Sequence, residues 1–376
     1  MKIQQLLRQV VPSLLVTGAV ITSQAVAEVT VLAGATLFDG EQPVADVRVV
    51  VRGDRIAAIG PADRVPVPAG ARVRNVDGKW IIPGLIDAHV HFFQSGGLYT
   101  RPDVIDLRHI RPYEREIATI RSQLPATLAR YLASGITSVV DLAGPAWSFD
   151  LRQLASGSAA SPRVVLSGPG LTPALPRGLD GRHAPAIVVR TPEQAQRAVD
   201  DLVLRQPDLV KIWFAAGPGM DLEQEFQWVR AAIEEAHGHG LRVAAHATEL
   251  EIARRMVVAG ADILVHSIDD RPIDPEFLSQ MQANRTLYIP TLGVGQRSAE
   301  GLGQPLRLSP YERAMGDAAV IASLGDMKRL FPGRGRSRNL PGDQVANENL
   351  LRVHHAGITI AAGSDAGNIG SLHGPG

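Results

Sequence analysis

From Leu85 onward the sequence alternates short apolar runs with amphipathic stretches, and this alternation restricts the chain to a parallel sheet built from βαβ units. The first run starts at Leu85 and leads to His89 and His91. A helix over Tyr113 to Ala133, ended by Gly135, leads into the run from Ile136 to Asp141, and Val164 to Leu166 forms a third. Thr191-Pro192 opens the next helix with a capping residue followed by proline at the first helical position. Leu209 to Trp213, Val243 to His246, Ile263 to His266, Leu287 to Pro290 and Ile358 to Ala362 supply strands four to eight. Eight strands in regular alternation predict an α/β protein with a (β/α)8, TIM-like barrel, whose chemistry sits at the carboxyl ends of the strands.

Those ends carry an unusual set of side chains. His89 and His91 are two residues apart in an extended segment, so their imidazoles project from one face and can chelate a metal. Lys211, His246, His266 and Asp365 lie at or near later strand ends and can complete the same site. A structurally satisfied core histidine is the plainer reading of His246 or His266 alone, and an N-cap is the plainer reading of Asp365. Lys211, between Val210 and Ile212, would be desolvated in a barrel strand, which lowers its pKa and frees the amine to react with carbon dioxide. The resulting carbamate is an anionic ligand able to bridge two cations. The other histidines read differently. His237 and His239 repeat the His-x-His spacing but end a helix before strand five, and His354 and His355 lie on the helix before strand eight. His109, His183 and His373 fall in loops on the active face, with His183 the substrate-binding candidate of the three.

The start of the chain reads as an export signal. Lys2 and Arg8 precede a largely apolar run from Val10 to Ile21, and Ala25-Val26-Ala27 fits a small-x-small cleavage pattern. The expectation is a signal peptide over 1–27, cleavage after Ala27, and an exported, periplasmic protein. No cysteine is present, so an exported chain would have no disulfide staples, and any metal would be held by nitrogen and oxygen. Residues 28–80 read as short β-segments with turns at Asp39-Gly40, Gly53-Asp54 and Asp77-Gly78, a small β-module ahead of a barrel over 81–376. Lys and Arg together number 38, as do Asp and Glu, a balance that points to neither nucleic acid nor a membrane surface as partner.

Pro83-Gly84-Leu85-Ile86-Asp87-x-His89-x-His91, followed in order by Lys211, His246, His266 and Asp365, resembles the metal-dependent amidohydrolase superfamily across nearly the whole chain after residue 27. Val210-Lys211-Ile212 and Ser364-Asp365-Ala366-Gly367 are most similar to binuclear members related to imidazolonepropionases and Xaa-Pro dipeptidases. The resemblance implies two divalent cations: His89, His91 and Asp365 hold one, His246 and His266 the other, and carboxylated Lys211 bridges them; the nitrogen-rich ligands favour zinc, with manganese or iron as alternatives. It implies hydrolysis of a carbon–nitrogen bond in a small-molecule amide, cyclic amide or peptide by a hydroxide generated at the metals, with Asp365 as general base. It also implies a composite β-sandwich completed by strands after the barrel. Only 11 residues follow Asp365, so the expectation is a barrel truncated after strand eight, without the C-terminal half of that module. Two other readings stay open, a mononuclear deaminase of the same superfamily and a non-catalytic metal-binding periplasmic protein, as does a homo-oligomer.

Overall fold

A computed structural model describes residues 28–303, 306–332 and 343–376. The expected export segment, Met1 to Ala27, lies outside them. Among the described residues no helix is long and apolar enough to cross a membrane. The chain divides into two compact units, Met1–Pro83 and Gly84–Gly376.

In the first unit, Val29–Phe38 pairs antiparallel with Pro43–Arg52, which pairs antiparallel with Arg55–Pro61. On its other side Val29–Phe38 meets Arg72–Asn75 and Trp80–Ile81, both in parallel register. Gly53 turns the chain between the second and third strands with φ of 61°, a left-handed conformation that glycine adopts without steric cost. Val31, Val50 and Val65 form the unit's small apolar core.

The second unit is the α/β barrel. Its strands are Leu85–Val90, Ile136–Asp141, Arg163–Leu166, Val210–Ile212, Val243–His246, Ile263–Val265 and Leu287–Ile289, with a final segment around Ile360. Strands one to three pair in parallel, as do strands four to seven. Backbone hydrogen bonds close the seams. The Asp208 N–H donates to the Leu166 carbonyl at 2.9 Å, Tyr288 N–H to Thr359 at 2.9 Å, and Ala88 N–H to Ala362 at 2.9 Å. The eighth segment is thus a thinner strand than the run from Ile358 to Ala362 predicts, joined to the seventh by a single bridge between Tyr288 and Ile360.

Period-two alternation sorts the strand residues. Val210, Ile212, Val243, Ala245 and Leu264 pack among the surrounding helices, whereas Ala244, Ile263, Val265 and Ile289 form a separate inner cluster. Lys211 pairs with Ala244, and His246 lies two residues beyond it, so both belong to the inner face near its carboxyl end. The helices form for equally local reasons. In Pro192–Val203 the Thr191 hydroxyl accepts from the Gln194 N–H, Pro192 fills the first turn, and Ala195, Ala198, Val199 and Leu202 make one buried stripe.

Close approach of the eighth segment to the first strand requires glycine at 363. A Cβ there would lie 2.5 Å from Ile289 Cγ2 and 2.9 Å from His89 Cβ. We expect Gly363→Ala to destabilise the protein by roughly 1–3 kcal/mol through overpacking, lowering the calorimetric melting temperature by several degrees and loosening His89. An unchanged melting temperature would show that the closing segment can move aside.

Candidate metal centre

The carboxyl ends of the first and last barrel segments bring three acceptor atoms together. His91 Nε2 lies 3.1 Å from Asp365 Oδ1, and His89 Nε2 lies 3.5 Å from the same oxygen. The two imidazole nitrogens are 3.2 Å apart. Ligand atoms about 2.0–2.2 Å from one cation are spaced by roughly 3–3.5 Å, so the triad has the dimensions of a metal site. The Ala143 carbonyl can only accept, so His91 Nδ1, 3.2 Å from it, is the protonated nitrogen and Nε2 keeps its lone pair.

His246 and His266 lie alongside. Their ring centroids are 4.3 Å apart, and the His266 ring is 4.8 Å from that of His89. His266 Nδ1 contacts the Thr291 hydroxyl at 2.9 Å; with Nδ1 donating, Nε2 is left as a ligand. Asp365 Oδ2 is 3.8 Å from His266 Nδ1, which links the two groups of histidines. Lys211 is buried, and its Nζ has no hydrogen-bond partner.

Electrostatics favour ligand-competent forms. Burial pushes His89 and His246 well below the ordinary imidazole range and His266 down to about 3, so all three are neutral near pH 7. Burial likewise lowers Lys211 to about 7. Burial pushes the Asp365 carboxyl up, and its contacts with His89, His91 and His266, which attract the carboxylate whenever one of these rings carries a proton, pull it well below the carboxylate range. Asp365 Oδ1 has no hydrogen-bond partner although it is buried, and an acceptor so placed fits a cation.

Supporting groups hold these side chains in place. Asp87 accepts from the Ser364 N–H at 2.9 Å, from the Ser364 hydroxyl, and from the His89 N–H at 3.3 Å, tying together the two segments that carry the triad. Backbone strain gathers here. Of seven non-glycine residues with positive φ among the described residues, Ala143, His266, Thr291 and Asp365 all adjoin the centre.

A cavity of about 110 Å³ opens onto the centre, lined by His91, Lys211, His246, His266 and Asp365 with Phe93, Arg101, Leu142, Trp213 and Asn368. The six residues singled out from the sequence as metal ligands therefore lie at one end of the barrel. His183 does not line this cavity, although Pro185 two residues later does; it sits in the short helical turn Gly181–His183. His373 is a buried structural residue, its Nδ1 2.8 Å from the Tyr131 hydroxyl and its Nε2 donating to the Gln94 carbonyl at 2.8 Å. His109 lines a separate surface hollow with Asp106 and Arg108. His237 and His239 pair with Asp262 and Asp200 at the helix end that precedes strand five.

Sequence reasoning quoted Asp87 within the His-x-His motif without giving it a role, and missed Thr291, Arg101 and Asp141. Asp141 closes the second barrel strand as His246 closes the fifth, a signal that was available. Both of its carboxyl oxygens are buried without partners, and burial pushes it up to about 7.

We expect His89→Ala and His266→Ala each to lose bound metal on elemental analysis, and His237→Ala to retain it. Equal loss from His237→Ala would contradict the placement of the centre. Thr291→Val removes the oxygen that orients His266 and should weaken metal affinity by roughly 10- to 100-fold, measured by chelator competition; unaltered affinity would mean that the ring is held by packing alone.

With this geometry in hand, comparison with known proteins is direct. The amidohydrolase family model matches residues 80–373. Imidazolonepropionase of Caulobacter vibrioides is 28% identical over 309 residues, covering 72% of this chain and 72% of the relative. The structure of a candidate prolidase from Bifidobacterium longum superposes with a TM-score of 0.63 at 26% identity, covering 91% of this chain and 74% of that one. A Xaa-Pro dipeptidase with methionine bound in its active site superposes at 0.66 with 22% identity, over 92% and 81% of the two chains, a likeness of fold. The chain belongs to the amidohydrolase family and is a hydrolase of carbon–nitrogen bonds.

Proposed function

We propose that the protein hydrolyses the carbon–nitrogen bond of a small amide, cyclic amide or peptide at a two-cation centre. In this reading His89, His91 and Asp365 hold one divalent cation, His246 and His266 hold a second, and a carboxylated Lys211 lies between them. Bound there, zinc or a similar cation would acidify the attacking water and polarise the scissile carbonyl. Asp365 accepts the proton from that water and delivers it to the departing nitrogen. Asp87, through Ser364, keeps the Asp365 backbone in the position these transfers need. Phe93, Leu142 and Trp213 provide apolar cavity walls that limit competing water.

The observation that carries the reading is the Lys211 amine, buried without a hydrogen-bond partner in a residue that lines the same cavity as His91, His246 and His266. A buried unpaired ammonium costs several kcal/mol. As a neutral amine it can bond through nitrogen to carbon dioxide, releasing one proton and yielding a carbamate whose two oxygens can meet two cations. We further infer export to the periplasm, with Glu28 as the first residue after cleavage.

The tight triad of His89, His91 and Asp365 favours a second reading, because on its own it would serve a deaminase with a single cation. The two readings part at Lys211. With bicarbonate present, Lys211→Arg is expected to bind fewer than two metals per chain and to lose nearly all turnover of dipeptides, cyclic amides and N-acyl amino acids, since arginine stays protonated and forms no carbamate. Two metals in that variant would defeat the bridge; one metal in the wild type would favour the deaminase; metal without turnover would favour a binding protein.

A further inference from the structure

A neutral imidazole has one N–H proton, and at His91 two acceptors compete for it. The Ala143 carbonyl lies 3.2 Å from Nδ1, and Asp365 Oδ1 lies 3.1 Å from Nε2. The negative carboxylate draws the proton toward Nε2, the nitrogen whose lone pair a metal needs. A ring protonated there cannot ligate through Nε2 until the proton leaves. His91 is ready for a cation when the carbonyl wins, and that requires the carbonyl to be held in line with Nδ1.

The ladder between strands two and three does not reach that carbonyl, because it ends with Asp141 opposite Leu166. A hydroxyl takes over. Ser167, the residue after strand three, is fully buried. Its Oγ accepts from the Ala143 N–H at 2.9 Å and donates to the Gly168 carbonyl at 2.9 Å. The same Gly168 oxygen accepts from the Gly144 N–H at 3.1 Å. The Gly144 N–H and the Ala143 carbonyl belong to one planar peptide unit, so fixing the first fixes the second. The Ser167 backbone N–H donates to the Asp141 carbonyl at 3.1 Å, which anchors the serine to strand two. Its hydroxyl thus braces the peptides on both sides of the Ala143 Cα. They need bracing, since Ala143 has φ of 92°, a conformation unfavourable for a residue with a Cβ.

We propose that Ser167 is a positioning residue that selects the metal-competent tautomer of His91 through the Ala143 carbonyl. This rests on the reading of His91 as a metal ligand. Without the hydroxyl, Ala143 relaxes out of its left-handed conformation, its carbonyl turns from Nδ1, and the proton passes to Nε2 beside Asp365. Ser167 touches neither metal ligands nor substrate, so its effect is carried wholly by the backbone between them.

The test reads the tautomer directly. The whole chain, freed of metal and labelled with nitrogen-15 in histidine, is examined by NMR at about pH 8.5, above the ordinary imidazole value of about 6.5. The His91 signals are assigned by their loss from His91→Gln. In wild type His91 should carry its proton mainly on Nδ1. Ser167→Ala should move most of the population to Nε2–H and leave His237 and His239 unchanged. Its affinity for zinc, measured by chelator competition, should fall by roughly 10- to 100-fold. Ser167→Cys, close in volume but a weak donor and acceptor, should shift the tautomer in the same direction and serves if the alanine variant does not fold. A serine that merely fills space would lower the melting temperature on replacement while His91 stayed protonated at Nδ1. That result, or a wild type already protonated at Nε2, would overturn the proposal. Because the tautomers are read without metal or substrate, the expected shift supports Ser167 even if the protein binds one cation or turns over no amide.

Discussion

Everything at the candidate metal centre depends on the pairing of the last barrel segment with the first strand. Ala88 N–H to Ala362 O at 2.9 Å and Asp365 N–H to His89 O at 2.7 Å are ordinary backbone hydrogen bonds, yet they bring the carboxylate beside the two histidines of the first strand. Asp87 reinforces the same seam with its side chain, and Gly363 permits it by having no Cβ. A shift of one residue in that register would turn Asp365 away from the triad.

The seam also concentrates unfavourable terms. Two buried ligand atoms and one half-buried one face one another, a buried amine has no partner, and four non-glycine residues adopt left-handed backbone conformations. Each would be disfavoured in an ordinary core. They persist because the surrounding barrel is densely packed, from Trp228 and Phe226 among the helices to Ala244, Val265 and Ile289 within the strands. Stability comes from that packing, and reactivity sits where local preferences are overridden.

Much of this was legible in the sequence because the ligands occupy strand ends. Period-two alternation carried Lys211 and His246 to the inner face, and capping at Thr191 fixed one helix start to the residue. The His-x-His spacing at 237 and 239 was separable from that at 89 and 91 by its place before a strand rather than after one. The supporting groups were not legible. Asp87 acts on Ser364 across 277 positions, and Thr291 acts on His266 across 25, so neither partnership leaves a local pattern. Arg101 lies in an irregular loop where no periodicity tells which way a side chain faces. The eighth strand was legible as an apolar run but not as the single bridge it makes.

The great separation in sequence between Asp87 and Ser364 bears on the order in which the protein matures. Helices and neighbouring strands can form early from local contacts, whereas this closure joins the two ends of the barrel and carries a large loop-closure entropy. Loop-closure entropy therefore favours assembly of the His89, His91 and Asp365 triad after the strands between them have packed. A cation taken up by all three would fasten the ends of the barrel together, making metal capture a latch on a finished fold rather than a seed for its collapse.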